Sequence, residues 1–197
     1  DRWQVADAPN DALLAFNSGQ FTGRGPWGWM VRNGVEVQPP GRGPLAPAVT
    51  QDTAGRMHFV AAEAIDSVRA AGGVQFAIQS YPAVLLGDGE IPEPLRTPGQ
   101  GVDLQHRDAR LGLCELRSGE WLTMLSRFET LGGVLEMLPY GPTTPEMAAI
   151  AGGLGCVHAV LLDGGMSGQM LLRDTDGTTT PWAGLRKVPA GVLLTPR

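Results

Sequence analysis

The segment at residues 158–170 constrains the fold of this chain most strongly. Its apolar run at 159–162 stops at Asp163, two glycines and Ser167 follow, and a second apolar run begins at residue 170. A short apolar run between turn signals is typical of a strand buried on both faces, and glycines allow close backbone approach. We therefore expect a tight turn that carries a carboxylate and a hydroxyl. A plain hairpin turn is the alternative, although this glycine-rich segment is longer than a hairpin needs.

Turn residues divide the rest of the chain into short elements, since 28 glycines and 16 prolines occur in 197 residues. Asn33-Gly34 between two apolar runs predicts a β-hairpin. Residues 61–71 are helix-like, and the capping pattern at 143–146 predicts a helix that runs to about residue 154. Residues 130–138 have helical spacing that Gly132 and Gly133 weaken. No linker divides the chain into two domains.

Composition excludes some functions. A net charge of −5 argues against a broad nucleic-acid surface, and no apolar run approaches the length of a membrane helix. The first residue is Asp1, which we interpret as loss of an upstream segment, by signal-peptide cleavage or by trimming. Cys114 and Cys156 lie far apart among apolar residues, so we expect buried free thiols, with a disulfide left open.

Polar side chains follow several of the predicted strands. Because strand ends hold side chains rigidly while loops vary, we expect these groups to converge on one concave site. Carboxylates, amides, hydroxyls and guanidinium groups together suit an anionic, hydroxylated ligand such as a sugar phosphate. The groups are Asn17, Gln79, Ser80, Asp163 and Ser167, with Arg107 and Arg110 just before a further strand.

Other chemistries fit less well. A serine hydrolase needs a histidine partner and usually a Gly-x-Ser-x-Gly turn, which the segment around Ser167 lacks. The histidines His58, His106 and His158 form no zinc pattern, and the Gly-Arg-Gly segments lack the strand-to-helix context of a dinucleotide loop. We therefore predict no metal and no cofactor.

Five segments in a fixed order carry a resemblance to a known family. They are Asn-Ser-Gly-Gln-Phe (17–21), Gly-Trp-Met-Val-Arg-Asn-Gly (28–34), Gln-Ser-Tyr-Pro (79–82), Arg-Leu-Gly-Leu (110–113) and Leu-Gly-Cys-Val-His-Ala-Val-Leu-Leu-Asp-Gly-Gly-Met-Ser (154–167). In this order they resemble the phosphodiester glycosidase family, the family of the uncovering enzyme, which has bacterial members associated with exopolysaccharide. The resemblance covers nearly the whole chain.

The resemblance implies a fold and a reaction. The fold would be α+β: a single domain over residues 1–197, with a curved, mostly antiparallel mixed sheet and a few packed helices. The reaction would be hydrolysis of a sugar-1-phosphodiester in a glycan, cell-envelope polymer or glycolipid, by an exported protein in the periplasm, at the cell surface or in the medium. The alternative is a non-catalytic glycan-binding or exopolysaccharide-assembly protein on the same fold. The partner is a carbohydrate or sugar phosphate, and the oligomeric state stays open.

The resemblance also suggests roles for individual residues. Asp163 and Arg110 would be catalytic, Asp163 as an acid/base or nucleophilic carboxylate and Arg110 as the phosphate ligand, with Arg107 as the alternative. Substrate would be bound by Asn17, Gln79, Ser80, Arg107, Gly164, Gly165 and Ser167. Glycoside cleavage usually needs a second carboxyl group, for which Asp108 and Glu63 are candidates.

Three residues depart from the usual family pattern: Gln20, Tyr81 and Met166. These bulky side chains would narrow the pocket for a different substrate or mark a member that has lost its activity.

Overall fold

A computed structural model describes residues 2–128 and 140–196, so the ambiguous segment at 130–138 lies outside the described residues. Within them the chain forms short strands and two α-helices. The first strands are β1 (Leu14–Asn17), β2 (Phe21–Thr22), β3 (Gly25–Pro26), β4 (Met30–Arg32), β5 (Val35–Gln38), β6 (Ala48–Asp52) and β7 (Met57–Val60). Helix α1 (Ile65–Ala71), β8 (Val74–Gln79), β9 (Ala83–Leu85), β10 (Arg110–Leu116) and β11 (Trp121–Ser126) follow. Helix α2 (Thr144–Gly153), β12 (Cys156–Leu161), β13 (Met170–Arg173), β14 (Thr179–Trp182) and β15 (Gly191–Leu194) complete the order.

The strands form several antiparallel sheets, which corrects the expectation of one curved mixed sheet. The three larger sheets have the orders β14-β13-β1-β15, β11-β10-β12-β9 and β5-β4-β8-β6-β7, and β2 pairs with β3. Every described strand pair is antiparallel. The chain changes sheet at its turns: β12 and β13, on either side of Asp163, belong to different sheets. The Asp163 turn is therefore a crossing between sheets, and the hairpin alternative is wrong.

A central apolar cluster holds the three larger sheets together. It contains Phe16, Val49, Ile78, Leu111, Leu113, Val160, Leu162 and Val192, which come from all three sheets. Each helix packs on an outer cluster: Met147 of α2 lies with residues of β9 and β12, and Ile65 of α1 lies with Trp29 and Val31. Complete burial of such a side chain contributes about 1.5–3 kcal/mol, so these clusters fix the strand ends that carry polar groups.

Local sequence signals agree with the structure at two positions. Asn33 and Gly34 have φ angles of 51° and 75°, as a two-residue hairpin between β4 and β5 requires. Thr143 Oγ1 accepts a hydrogen bond from Glu146 N at 3.3 Å, and Thr143 N donates to Glu146 Oε2 at 2.9 Å, so the predicted capping box begins α2. Helix α1 begins only at Ile65, after a 3-10 turn at Ala62–Ala64.

The prediction that Cys114 and Cys156 are free thiols is wrong, because the structure joins them in a disulfide. Their Cα atoms lie 5.8 Å apart, within the usual range for a bridge. The cysteines lie on the neighbouring strands β10 and β12, and both are buried in the cluster beneath α2. Only this strand pairing, which the sequence does not show, brings together two residues 42 positions apart.

Candidate active site

An open cavity of about 510 Å³ lies where β12 ends and β10 begins. Five of the residues predicted from the sequence line it: Arg107, Arg110, Asp163, Gly164 and Gly165. Asp108, considered as a second carboxylate, also lines it, as does Arg186, which the sequence did not suggest. Asn17 and Ser80 do not line the cavity; their side chains bond instead to backbone oxygens of the segment that ends at Asp163.

Asn17, the last residue of β1, fixes both ends of the Asp163 turn. Its Nδ2 donates to Asp163 O at 2.7 Å, and its Oδ1 accepts from Gln169 N at 2.9 Å. The side chain is fully buried, where unpaired polar groups would be costly. Asn17 therefore holds the turn from beneath.

Ser80 and Gln79, at the end of β8, hold backbone in a similar way. Ser80 Oγ lies 2.6 Å from Leu161 O and 2.9 Å from Gln20 Oε1, either of which can accept its hydrogen. Gln79 Oε1 accepts from Trp29 N at 2.8 Å and from Gly41 N at 2.7 Å, and its Nε2 donates to Ala46 O at 2.8 Å. Gln79 thus fixes the loop that follows β5.

The predicted substrate contacts of four residues need correction. Asn17, Gln79, Ser80 and Ser167 are at most 2% exposed, and their polar atoms bond within the protein. Ser167 Oγ accepts from Arg186 Nε at 2.7 Å. These four side chains position the groups that face the cavity. The sequence revealed that polar groups follow strands, but not which way each one points.

Gly164 and Gly165 allow the turn to pack directly on the segment before β10. Gly165 N donates to Ala109 O at 2.8 Å, and a Cβ at Gly164 would clash with the same oxygen. Gly165 has a φ of 56°, and a Cβ there would lie 2.5 Å from Asp108 Oδ2. Side chains at these positions would push the two chain segments apart. The glycines therefore keep Asp108 beside the Asp163 turn.

Asp163 is a carboxylate with a raised pKa at the edge of the cavity. Burial raises its pKa, and the charge of Asp108 acts in the same direction, while Ser167 and Arg186 oppose the shift. Its Oδ2 is buried and has no hydrogen-bond partner among the described residues, but it forms an ion pair with Arg186 Nη2 at 3.6 Å. A structural turn aspartate normally uses its oxygens on turn amides. The side chain as a whole is 19% exposed and lines the cavity, so part of the carboxylate faces it.

The three arginines at the cavity bind different partners within the protein. Arg107 forms a bidentate ion pair with Glu146 of α2, at 2.6 and 2.8 Å, which raises the pKa of Arg107 and lowers that of Glu146. Arg110 is partly buried and donates to Pro142 O at 3.0 Å and to His106 O at 2.7 Å. Burial lowers its pKa, but a guanidinium stays protonated in proteins.

Arg186 is the functional candidate that the sequence analysis missed. It packs on the Phe21 ring at 4.7 Å, donates to Ser167 and faces Asp163. It lies in the connection between β14 and β15, without a motif or an apolar run beside it. No local signal could therefore identify it; only the sheet topology brings it to the cavity.

Asp108 supplies the second carboxylate at this cavity. Its Oδ1 accepts from Ala109 N at 2.9 Å, and its Oδ2 lies 3.3 Å from His106 Nε2. The other candidate, Glu63, lies in the 3-10 turn before α1. The three departures from the family pattern, Gln20, Tyr81 and Met166, all line the cavity.

Within residues 2–128 and 140–196, no three His, Cys, Asp or Glu side chains form a group placed to hold a metal ion. No helix in these ranges is long and apolar enough to cross a membrane.

Comparison with known proteins identifies relatives of both the sequence and the fold. The model of the phosphodiester glycosidase family matches residues 10–195. The structure is similar to the catalytic domain of zebrafish N-acetylglucosamine-1-phosphodiester alpha-N-acetylglucosaminidase, auto-inhibited by its pro-peptide. The TM-score is 0.72 at 19% identity, over 100% of this chain and 68% of that one.

Two bacterial structures share the fold at lower similarity. A protein from Burkholderia pseudomallei K96243, assigned as exported, has a TM-score of 0.59 at 15% identity, over 98% of this chain and 67% of that one. A hypothetical protein from Synechocystis has a TM-score of 0.56 at 14% identity, over 94% of this chain and 52% of that one. No curated protein matches the sequence. At these identities the structures show a common fold.

Proposed function

The chain belongs to the phosphodiester glycosidase family, and from that premise we propose that it hydrolyses a sugar-1-phosphodiester. Residues 1–197 would form one phosphodiester-glycosidase-like domain. The observation that carries the proposal is the half-buried Asp163, whose Oδ2 accepts no hydrogen bond among the described residues, at a cavity that also contains Asp108 and three arginines. Two carboxyl groups at one site are the usual requirement of glycoside hydrolysis.

The reaction breaks the bond between the anomeric carbon and the phosphate oxygen. Water attacks the anomeric carbon, its proton passes to Asp163, and the bonding electron pair leaves with the phosphate monoester. The raised pKa of Asp163 makes it a stronger base than an exposed aspartate, provided that it is ionised. Asp108 stabilises the positive charge that develops at the anomeric carbon, and the proton on Asp163 is then released to solvent.

The guanidinium groups act on the leaving group. A phosphate carries its own negative charge, so positive charge placed around it stabilises departure without proton transfer. All three arginines line the cavity, but Arg107 is held by a bidentate ion pair with Glu146. We assign phosphate binding to Arg110 and Arg186, with Arg107 placing α2 against the site. In this division Arg107 acts by positioning α2, whereas the resemblance had suggested it as a direct substrate ligand.

The substrate and location follow from the same proposal. The substrate is a sugar phosphodiester of a glycan, cell-envelope polymer or glycolipid, and the zebrafish neighbour's name makes an N-acetylglucosamine-1-phosphodiester a useful first probe. The protein would be exported, since the Cys114–Cys156 disulfide is typical of an oxidising compartment. The similarity in fold to an exported bacterial protein points the same way.

The test is turnover of a panel of sugar-1-phosphomethyl esters that differ in sugar and anomeric configuration. Wild type should release free sugar from at least one ester. Asp163→Asn should reduce this turnover by about 10³-fold or more, because the base is lost. Asp176→Asn, in the turn after β13, is the matched control, because Asp176 bonds only within its own turn in the described structure.

The non-catalytic alternative has one specific observation in its favour. Gln20, in the cavity wall, bonds to both backbone groups of Tyr81, so two of the bulky departures are locked together beside the site. If wild type binds sugar-1-phosphate esters but turns over none of them, the glycan-binding function replaces the hydrolase.

A further inference from the structure

A second cavity adjoins the first through a shared wall. It has a volume of about 300 Å³ and is lined by Gln20, Trp27, Arg42, Gly43 and Tyr81. Gln20 and Tyr81 also line the cavity that contains Asp163. The two cavities therefore lie side by side along Gln20 and Tyr81, next to where a molecule bound at Asp163 would lie. The mechanism proposed above uses neither Trp27 nor Arg42.

The aromatic side chains of this second cavity are held in place by the protein. Trp27 N donates to Gln20 O at 2.9 Å, and the indole lies so close to Gly41 that a Cβ there would clash with it. Gly41 N in turn donates to Gln79 Oε1 at 2.7 Å. Gln79 thus anchors the loop against which Trp27 packs.

Tyr81 is held by several bonds. Its backbone N donates to Gln20 Oε1 at 3.0 Å, and its hydroxyl donates to Gly101 O at 3.2 Å. Because both rings are fixed before a ligand arrives, binding causes little further loss of side-chain conformational entropy.

The chemistry of this cavity suits a sugar ring. Trp and Tyr offer flat apolar surfaces with a polar edge, which match the C–H face and the hydroxyl edge of a pyranose. Arg42 is 86% exposed in its side chain and pairs with Asp66 at 3.1 Å, so hydrogen-bond donors and acceptors lie at the rim. The volume lies at the lower end of the range of about 300–1,000 Å³ for small-molecule sites.

We propose that Trp27 and Tyr81 form a second sugar subsite, so that the preferred substrate carries at least one further sugar beside the cleaved sugar phosphate. This inference rests on the proposed function, because it extends the ligand held at Asp163. It assigns the substrate to oligomeric or polymeric glycosyl phosphates. Gln20 and Tyr81, which depart from the usual family pattern, then shape the passage between the two subsites.

The experiment compares kcat/KM for three substrates: a monosaccharide-1-phosphomethyl ester, a disaccharide-1-phosphomethyl ester, and a monosaccharide-1-phosphate esterified to a second sugar. Wild type should prefer one of the two extended substrates over the first by about tenfold or more. Trp27→Ala should lower that preference about tenfold, and Trp27→Phe should restore most of it because the flat ring returns. Trp121→Ala is the matched control, since Trp121 lies at the far end of β11 and should leave the preference intact.

Three outcomes overturn the inference: no preference in wild type, no change of the preference in Trp27→Ala, or the same loss in Trp121→Ala. If Trp27→Ala does not fold, Trp27→Leu serves instead, because it keeps apolar volume without a flat ring.

Failure of the hydrolase proposal is a separate result, since no substrate is then turned over at all. Binding of a disaccharide-1-phosphate, measured by saturation-transfer NMR on wild type and Trp27→Ala, then tests the subsite alone. Equal binding by both proteins contradicts it.

Discussion

Asp163 combines burial, an unbonded oxygen and a negatively charged neighbour, so its ionised form is disfavoured in the folded protein. A carboxylate held in this state lowers the free energy of unfolding of the protein. Strongly perturbed groups of this kind are typical of functional sites. The neighbouring Asn17 shows the opposite state, because its amide bonds within the protein. Asn17 therefore holds the turn, whereas the Asp163 carboxylate is the group that we assign to the reaction.

Asp163→Asn should become more stable relative to wild type as the pH rises. The folded pKa of Asp163 lies above its unfolded value of about 3.9, so the folded state binds more protons. Wild type therefore loses stability as the pH rises from about 3.9 through the folded pKa of Asp163. The variant lacks this carboxyl group, so its stability has no such pH dependence. Urea unfolding of both proteins between pH 3.5 and pH 7 measures this difference. A wild type that gains stability over the variant with rising pH would show that Asp163 is a structural turn residue.

Arg186→Gln should lower kcat/KM on a sugar-1-phosphodiester by about 10²–10³-fold, the usual effect of losing one charge-stabilising donor. Arg107→Gln should mainly lower the melting temperature, because its partner Glu146 belongs to the cap of α2. Steady-state kinetics and thermal melts of the two variants test the division of roles. The assignment fails if Arg107→Gln loses as much activity as Arg186→Gln while its melt is unchanged.

Elements with local signals were predictable, and those that depend on partners were not. The Asn33-Gly34 turn and the capping box of α2 appear as predicted, because residues adjacent in sequence determine both. Strand β6 has no local signal: its residues 48–50 are buried between β7 and β8, and no turn-bounded apolar run marks them in the sequence. Strand β14, with Pro181 in an edge position, lacks such a run too.

The disulfide between β10 and β12 should stabilise the sheet that carries the site. Cys114→Ala with Cys156→Ala should lower the free energy of unfolding by about 2–4 kcal/mol. This corresponds to a fall in melting temperature of about 4–16 °C for a chain of this size. Differential scanning calorimetry of the double variant, with reduced wild type beside it, measures the effect. Equal melts of oxidised and reduced wild type would contradict a stabilising bridge.

The arrangement of the sheets explains why the site lies where it does. The central cluster joins three sheets, and the ends of β1, β8 and β12 reach the same end of it as the start of β10. The polar residues that follow the strands indicated that these strand ends lie near one another, but the side chains of Asn17 and Ser80 are buried beside the cavity rather than lining it. The sequence could not predict Arg186, the second cavity beside Trp27, or which polar side chains turn inward, because these depend on how separate sheets pack.

The central claim is that the protein hydrolyses a sugar-1-phosphodiester by breaking the bond between the anomeric carbon and the phosphate oxygen. Hydrolysis of a sugar-1-phosphomethyl ester in ¹⁸O-labelled water tests it directly, with mass spectrometry of both products after a short reaction. The account predicts ¹⁸O at the anomeric carbon of the released sugar and none in methyl phosphate, with Asp163→Asn inactive on the same substrate. The early time point matters, because the anomeric hydroxyl of a free sugar exchanges slowly with water, and the unlabelled sugar incubated alone gives that background. Label in the phosphate product would mean cleavage of the phosphorus–oxygen bond, and it would contradict the glycosidase mechanism.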